Sequence, residues 1–270
     1  MVQDILTALL VVASVGIAAG VLLALASHFF KVEEDETVKN IRDVLPGANC
    51  GACGYAGCDS YAEAVAKGDA APNLCVPGAA AVVENIAGIL GVECEAAESG
   101  VAFVACNGSC NATTKKAEYE GIESCAAAGM LFGGPSSCIY GCIGCGDCAS
   151  VCPADAICIV DSLAHVDPRK CIGCSLCVKT CPKHIISIIP KNASTAVMCS
   201  NEEKGAVARK NCKNACIGCK KCQLNCPVNA VTVNNNVATI DYSICTSCGV
   251  CADVCPTKCI KNLKLTDTVV

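Results

Sequence analysis

The longest apolar stretch of the chain runs from Ile5 to Phe30, 26 residues without Asp, Glu, Lys or Arg. A helix of that length exceeds the roughly 30 Å hydrocarbon core of a bilayer, so the pattern predicts a membrane-crossing helix with some tilt. A cleaved leader is the rival reading, but it needs a basic start and a shorter apolar core. Here the one charged residue before the run is Asp4, and Lys31, Lys39 and Arg42 follow it. That bias places the rest of the chain on the cytoplasmic side. Residues 31–44 are charged and read as a partly helical linker. Beyond them the apolar elements are short. Ala62–Lys67 and Ala79–Leu90 read as helices, and Val101–Val104 as a strand. Ile157–Val166 and Ala230–Asp241 alternate apolar and polar around a turn, the pattern of a β-hairpin.

What recurs between these elements is cysteine. Cys142, Cys145, Cys148 and Cys152, followed by Pro153, form a C-x2-C-x2-C-x3-C-P run. The run returns at Cys171, Cys174, Cys177 and Cys181, at Cys216, Cys219, Cys222 and Cys226, and at Cys245, Cys248, Cys251 and Cys255, each with Pro after its fourth Cys. The offset is 29 residues within each pair and 74 between pairs, which makes this an internal repeat. Three thiolates two residues apart can wrap one four-iron cluster, while the fourth, before Pro, ligates the other cluster of the pair. The expected ligand sets are Cys142, Cys145, Cys148 and Cys181; Cys171, Cys174, Cys177 and Cys152; Cys216, Cys219, Cys222 and Cys255; Cys245, Cys248, Cys251 and Cys226. Structural zinc more often shows two C-x2-C knuckles on a longer arm.

Cys50, Cys53, Cys58 and Cys75 lie among Gly-rich loops that let N–H groups approach sulfur, which suits a further [4Fe-4S] cluster; zinc on the same thiolates is the rival. Cys106, Cys110, Cys125 and Cys138 are the candidates for a sixth cluster, against a reading as separate buried thiols. Cys125, Cys138 and Cys142 map at +74 onto Cys199, Cys212 and Cys216, but the counterparts of Cys106 and Cys110 are Thr180 and His184. No complete extra cluster is therefore expected at Cys199 and Cys212, which read as spare ligands. Cys94 reads as a buried structural thiol, and Cys158 and Cys259 as small hydrophobes.

Composition narrows the class. Cysteine is 29 of 270 residues and Trp is absent, so metal ligation has to supply much of the folding free energy. A net charge of −5 leaves no nucleic-acid footprint. His28, His165 and His184 are scattered, and no catalytic acid, base or nucleophile stands out. A basic excess at Lys204, Arg209, Lys210, Lys213, Lys220, Lys221, Lys258, Lys261 and Lys264 reads equally as a solvated face and as a docking surface for an acidic redox partner.

The expected architecture is α+β: a single N-terminal transmembrane helix, a small 4Fe-4S module and two tandem bacterial-type 2[4Fe-4S] ferredoxin modules. The segments are 1–30 transmembrane helix, 31–44 linker, 45–78 four-Cys module, 79–138 connector, 139–190 first ferredoxin module, 191–211 linker and 212–264 second ferredoxin module. The apolar start, the Leu45–Cys75 module, the stretch Gly133–Cys142 and the ferredoxin runs together resemble the B subunit of the Rnf complex, an ion-pumping membrane ferredoxin:NAD+ oxidoreductase. The cysteine spacing gives five or six [4Fe-4S] clusters and the apolar run puts membrane lipid around residues 5–30, while the resemblance implies soluble ferredoxin as electron donor and other subunits as acceptors. It also implies that no complete active site lies on this chain alone. Family members carry a non-Cys residue at the position of Cys145, which brings in Cys138 as an alternative ligand of the first cluster. A polyferredoxin of another membrane complex, and a cluster-bearing sensor or structural zinc protein, are the competing readings.

Overall fold

The structure, a computed structural model, describes residues 2–29, 35–94 and 100–263. Phe30 at the end of the expected transmembrane helix, residues 31–34 at the start of the expected linker, residues 95–99 of the expected connector and Lys264 lie outside the described residues. Helix α1 runs from Val2 to Phe29. Several of its side chains also lie outside the described set, and among the described residues no helix is long and apolar enough to cross a membrane.

Three helices form a small conventional core. Helix α2 (Glu36–Val44) starts at Asp35, whose carboxylate accepts the Thr37 N–H at 2.9 Å. Glu36 in its first turn and Arg42 in its last complement the helix dipole. Helix α3 (Cys58–Ala66) and α4 (Ala79–Leu90) follow, and α4 ends at Gly91 in the left-handed conformation. Ile41, Tyr61 and Ile86 are at most 1% exposed and pack with Val65, Val82 and Leu45. Burying each large side chain contributes on the order of 1.5–3 kcal/mol. Arg42 pairs with Asp59 to tie α2 to α3.

The cysteine-rich remainder is built from four two-stranded antiparallel sheets and short helices. Strand β1 (Gly100–Val104) pairs with β4 (Ile186–Pro190), and β2 (Ile157–Val160) with β3 (Leu163–Val166). Strand β5 (Thr195–Val197) pairs with β8 (Ile260–Asn262), and β6 (Val231–Asn234) with β7 (Val237–Ile240). Both predicted hairpins are present. Their turns place Asp161 and Ser162, and Asn235 and Asn236, at positive φ, the type I′ geometry that matches strand twist. Helices α5 (Cys125–Met130), α6 (Asp147–Ser150), α7 (Leu176–Thr180), α8 (Gly205–Asn211), α9 (Lys221–Leu224) and α10 (Val250–Asp253) are a few turns at most.

The module boundaries shift from the expected ones. Strand β1 lies in the expected connector and β5 in the expected linker, yet each completes the ferredoxin module that follows it. The reason is local: β4 and β8 close each repeat and would otherwise leave an unpaired edge. At Gly144, with φ +86°, a Cβ would sit 2.5 Å from the Ser162 carbonyl oxygen, so the hairpin turn presses directly on the cysteine loop. The module cores mix cysteine with aliphatic side chains. Cys106, Cys148 and Cys177 share one with Leu163, Ile185 and Ile186; Cys216, Cys222, Cys251 and Cys255 share the other with Val231 and Ile260.

Candidate functional site

Cys75 is raised by burial first and then by the charges of Cys58, Cys50 and Cys53. Asn49 Oδ1 accepts the Cys58 N–H at 2.8 Å and fixes the start of α3. The Tyr61 hydroxyl donates to the Ala71 carbonyl at 2.8 Å and accepts the Leu74 N–H at 3.2 Å, which holds the chain leading to Cys75 against α3. Burial pushes the Tyr61 phenol up to about 12. Tyr61→Phe is expected to lower stability by about 0.5–1.5 kcal/mol, read from denaturant midpoints, because it removes two part-buried hydrogen bonds.

The first ferredoxin hollow, about 340 Å³, is lined by Cys125, Cys142, Cys148 and Cys181. Cys125 is the member that spacing did not predict. It opens α5, and the Asp147 carboxylate accepts its N–H at 2.9 Å, the Ala126 N–H at 3.1 Å and the Ser124 hydroxyl at 2.9 Å. Burial raises Asp147, but these donors outweigh it and hold the carboxyl below its usual value. Cys145 does not line the hollow; it sits beside the Cys125 thiol, and burial followed by the Cys125 charge pushes it up to about 11. Cys142 and Cys148 are both raised by burial and by the charges of Cys125 and Cys181.

In the second set, Cys177 is pushed up to about 11 by burial and by Cys171, Cys174 and Cys152. Ala102 N–H donates to Cys171 Sγ at 3.3 Å and Ala156 N–H to Cys152 Sγ at 3.3 Å. The third hollow, about 300 Å³, is lined by Cys216, Cys219, Cys222 and Cys255 together with Cys259. Cys259 Sγ lies 3.6 Å from Cys255 Sγ, and its thiol holds Cys255 and Cys216 well below the ordinary thiol value. Cys259 is thus buried as expected but also bonded to sulfur, whereas Cys158 is exposed rather than a core residue and Cys94 is half-buried. In the fourth set, Cys251 is raised by burial, then by Cys245 and Cys248. Cys226 Sγ accepts the Ala230 N–H at 3.2 Å, as Cys152 does in the first module.

The sets touch in sequence. Cys174 is raised in part by Cys50, and Lys179 Nζ reaches the Gly51 carbonyl at 3.4 Å, so the four-Cys module abuts the second set. Cys148 is raised in part by Cys177, which joins the second set to the first.

The four middle cysteines do not converge. Cys106 and Cys138 line one hollow, Cys125 lines another, and Cys110 is exposed, its N–H bonded to the Asp161 carbonyl. What joins Cys106 and Cys138 is Cys199 and Cys212, from the linker ahead of the second module. Among the described residues no three Cys, His, Asp or Glu converge on one metal ion. Sulfurs around a tetrahedral zinc would stand about 3.8 Å apart. Thiols set around hollows, with N–H groups aimed at their sulfurs, fit iron–sulfur clusters better.

Comparison with known proteins agrees with these positions. A family model described as "Putative Fe-S cluster" matches residues 45–77, and one described as "4Fe-4S dicluster domain" matches 141–185 and 215–259. A second 4Fe-4S dicluster model matches 170–231. The chain is 44% identical over 265 residues to the B subunit of the proton-translocating ferredoxin:NAD(+) oxidoreductase complex of Clostridium ljungdahlii, covering 97% of this chain and 93% of that one. It is 43% identical over 248 residues to the Na(+)-translocating counterpart of Acetobacterium woodii, covering 92% and 74%. It is 36% identical over 258 residues to the B subunit of the ion-translocating oxidoreductase complex of Methanosarcina acetivorans, covering 95% and 98%. The chain belongs to the family of B subunits of the ion-translocating ferredoxin:NAD(+) oxidoreductase (Rnf) complexes. As a member of that family it is an iron–sulfur electron-transfer subunit of an oxidoreductase. The sensor, zinc and unrelated-polyferredoxin readings are set aside by that membership.

Proposed function

We propose that the chain takes electrons from reduced soluble ferredoxin in the cytoplasm and hands them to other subunits of a membrane complex. The observation that carries this is the adjacency of the sets: Lys179 Nζ reaches the Gly51 carbonyl next to Cys50 at 3.4 Å, and Cys148 and Cys177 share one buried core. When bound, each [4Fe-4S] cluster takes up and returns one electron. The thiols supply the ligands, and the N–H groups beside Cys171, Cys152 and Cys226 offset negative charge at sulfur. The proposed ligand sets are Cys50, Cys53, Cys58 and Cys75 and the four ferredoxin sets, with Cys125 in place of Cys145 in the first.

Helix α1 is the proposed membrane anchor. Its residues 5–29 include no Asp, Glu, Lys or Arg, and the helix is 28 residues long. Described side chains such as Leu10, Ile17 and Leu23 are more than 60% exposed, which suits a lipid neighbour. Extraction of the membrane fraction with alkaline carbonate tests this: the full chain is expected to stay in the pellet, and release to the supernatant rejects the anchor.

The function is tested by adding reduced ferredoxin to the anaerobically purified complex. Visible absorption of the chain's clusters is expected to bleach before NAD+ is reduced, and no bleaching rejects the reading. A paired substitution tests the first ligand set. Cys125→Ser is expected to remove or convert one cluster, with up to about four iron lost per chain, and Cys145→Ser to leave the iron content unchanged.

A further inference from the structure

We propose that Cys106, Cys138, Cys199 and Cys212 form one further [4Fe-4S] site, shared between the two ferredoxin modules. This rests on the reading that the chain carries iron–sulfur clusters, and it adds one that the repeat of the runs does not contain. The four thiols line a common hollow without a charged side chain in its wall. Cys106, Cys138 and Cys212 are at most 8% exposed.

Each of the four sulfurs accepts an N–H. Cys106 Sγ takes those of Gly108 at 3.3 Å and Cys142 at 3.5 Å. Cys199 Sγ takes those of Cys216 at 3.3 Å and Asn201 at 3.5 Å. Cys138 Sγ takes the Asn201 Nδ2–H at 3.4 Å, and Cys212 the Asn214 N–H. Asn201 is 1% exposed, and its amide is fixed by the Glu203 side chain at 3.2 Å and the Glu203 N–H at 2.7 Å. A buried amide held in place to donate to sulfur is the arrangement that tunes a bound cluster. Space is kept beside the sulfurs as well. A Cβ at Gly108 would touch both Cys106 and Cys212 Sγ, and a Cβ at Gly141 both Cys138 and Cys106 Sγ, at 3.5–3.7 Å.

The site is also internally symmetric. Ala105 N–H bonds to the Ile185 carbonyl and Met198 N–H to the Cys259 carbonyl, both at 2.7 Å, and 185 and 259 are repeat equivalents at +74. Cys106 therefore corresponds to Cys199, one residue beyond those positions, and Cys138 to Cys212. Each module contributes its pair. The spacing of 32 residues in the first pair and 13 in the second hides the match, because the first module carries an insertion that holds Cys110 and Cys125.

The placement has a consequence. Cys106 borders Cys142 of the first module and Cys199 borders Cys216 of the second. With a cluster held there, the four thiols would offer a one-electron relay between the modules.

The test uses the full chain, purified anaerobically in detergent. Roughly 24 iron per chain is expected, falling by about four in Cys199→Ser and in Cys212→Ser and unchanged in Cys110→Ser. Because such variants can misfold, native alkylation of the unmodified chain with iodoacetamide provides the second reading. Cys106, Cys138, Cys199 and Cys212 are expected to resist modification together and to become reactive together once iron is chelated. Roughly 20 iron with Cys199 and Cys212 alkylated overturns the site, as does one zinc and no sulfide held by the four thiols. A chain with no iron at all would instead reject the proposed function.

Discussion

Stripping the iron from the full chain is expected to abolish the cooperative unfolding of the ferredoxin modules rather than lower their midpoint by a few degrees. Their sheets are two-stranded, two of them hairpins, and a lone two-stranded hairpin is marginal in water. Their cores mix cysteine with a few apolar side chains: Val104, Ile157, Leu163, Ile185 and Ile186 in one module, and Val197, Val231 and Ile260 in the other. Metal binding in small domains contributes on the order of 10–16 kcal/mol per structural zinc site, as much as or more than the 5–15 kcal/mol net stability of a typical domain. The α2–α3–α4 unit differs, because Ile41, Tyr61 and Ile86 give it an apolar core. Far-UV circular dichroism and calorimetry on loaded and chelated protein check this. Helical signal is expected to persist in part while the main thermal transition disappears. A chelated chain that still melts cooperatively within about 5 °C of the loaded one would show that protein packing suffices.

Cys75→Ala is expected to stop electron flow between the ferredoxin modules and the membrane partners. Cys75 is brought to Cys50, Cys53 and Cys58 by the chain that the Tyr61 hydroxyl holds, so its loss removes one of four ligands. About four iron should go with it. The module abuts the second ferredoxin set through Lys179 and Gly51, and α2 and α3 belong to the part of the chain next to α1. Ferredoxin-dependent NAD+ reduction by the assembled complex is expected to fall roughly 100-fold or more, since a broken relay has no parallel route on this chain. Bleaching of the remaining clusters by reduced ferredoxin is expected to survive. Undiminished NAD+ reduction would place the module outside the path.

Much of the chemistry is legible in the sequence because it is local. Four thiols in C-x2-C-x2-C-x3-C-P can hardly do anything but wrap a cluster and donate to its pair, and the Asn-rich turn at 235–236 can close a hairpin without help from elsewhere. Helix α4 and both hairpins sit where the pattern puts them for the same reason. Inferences that assume sequence neighbours share a site fail. Cys106, Cys110, Cys125 and Cys138 lie close along the chain, yet they go to three places. The +74 offset pairs Cys199 with Cys125, but the hydrogen bonds of Ala105 and Met198 make Cys106 its counterpart.

The sequence by itself determined the ligand type, the repeat and the family, because cluster-binding loops are short and their spacing is dictated by the cluster. The tertiary structure decided the strands that complete each module, the placing of Cys125 rather than Cys145 in the wall of the first hollow, and the meeting of Cys106 and Cys138 with Cys199 and Cys212. Those depend on pairing β1 with β4 and β5 with β8 across long stretches of chain, where loop length carries no record of which sulfurs will face one another.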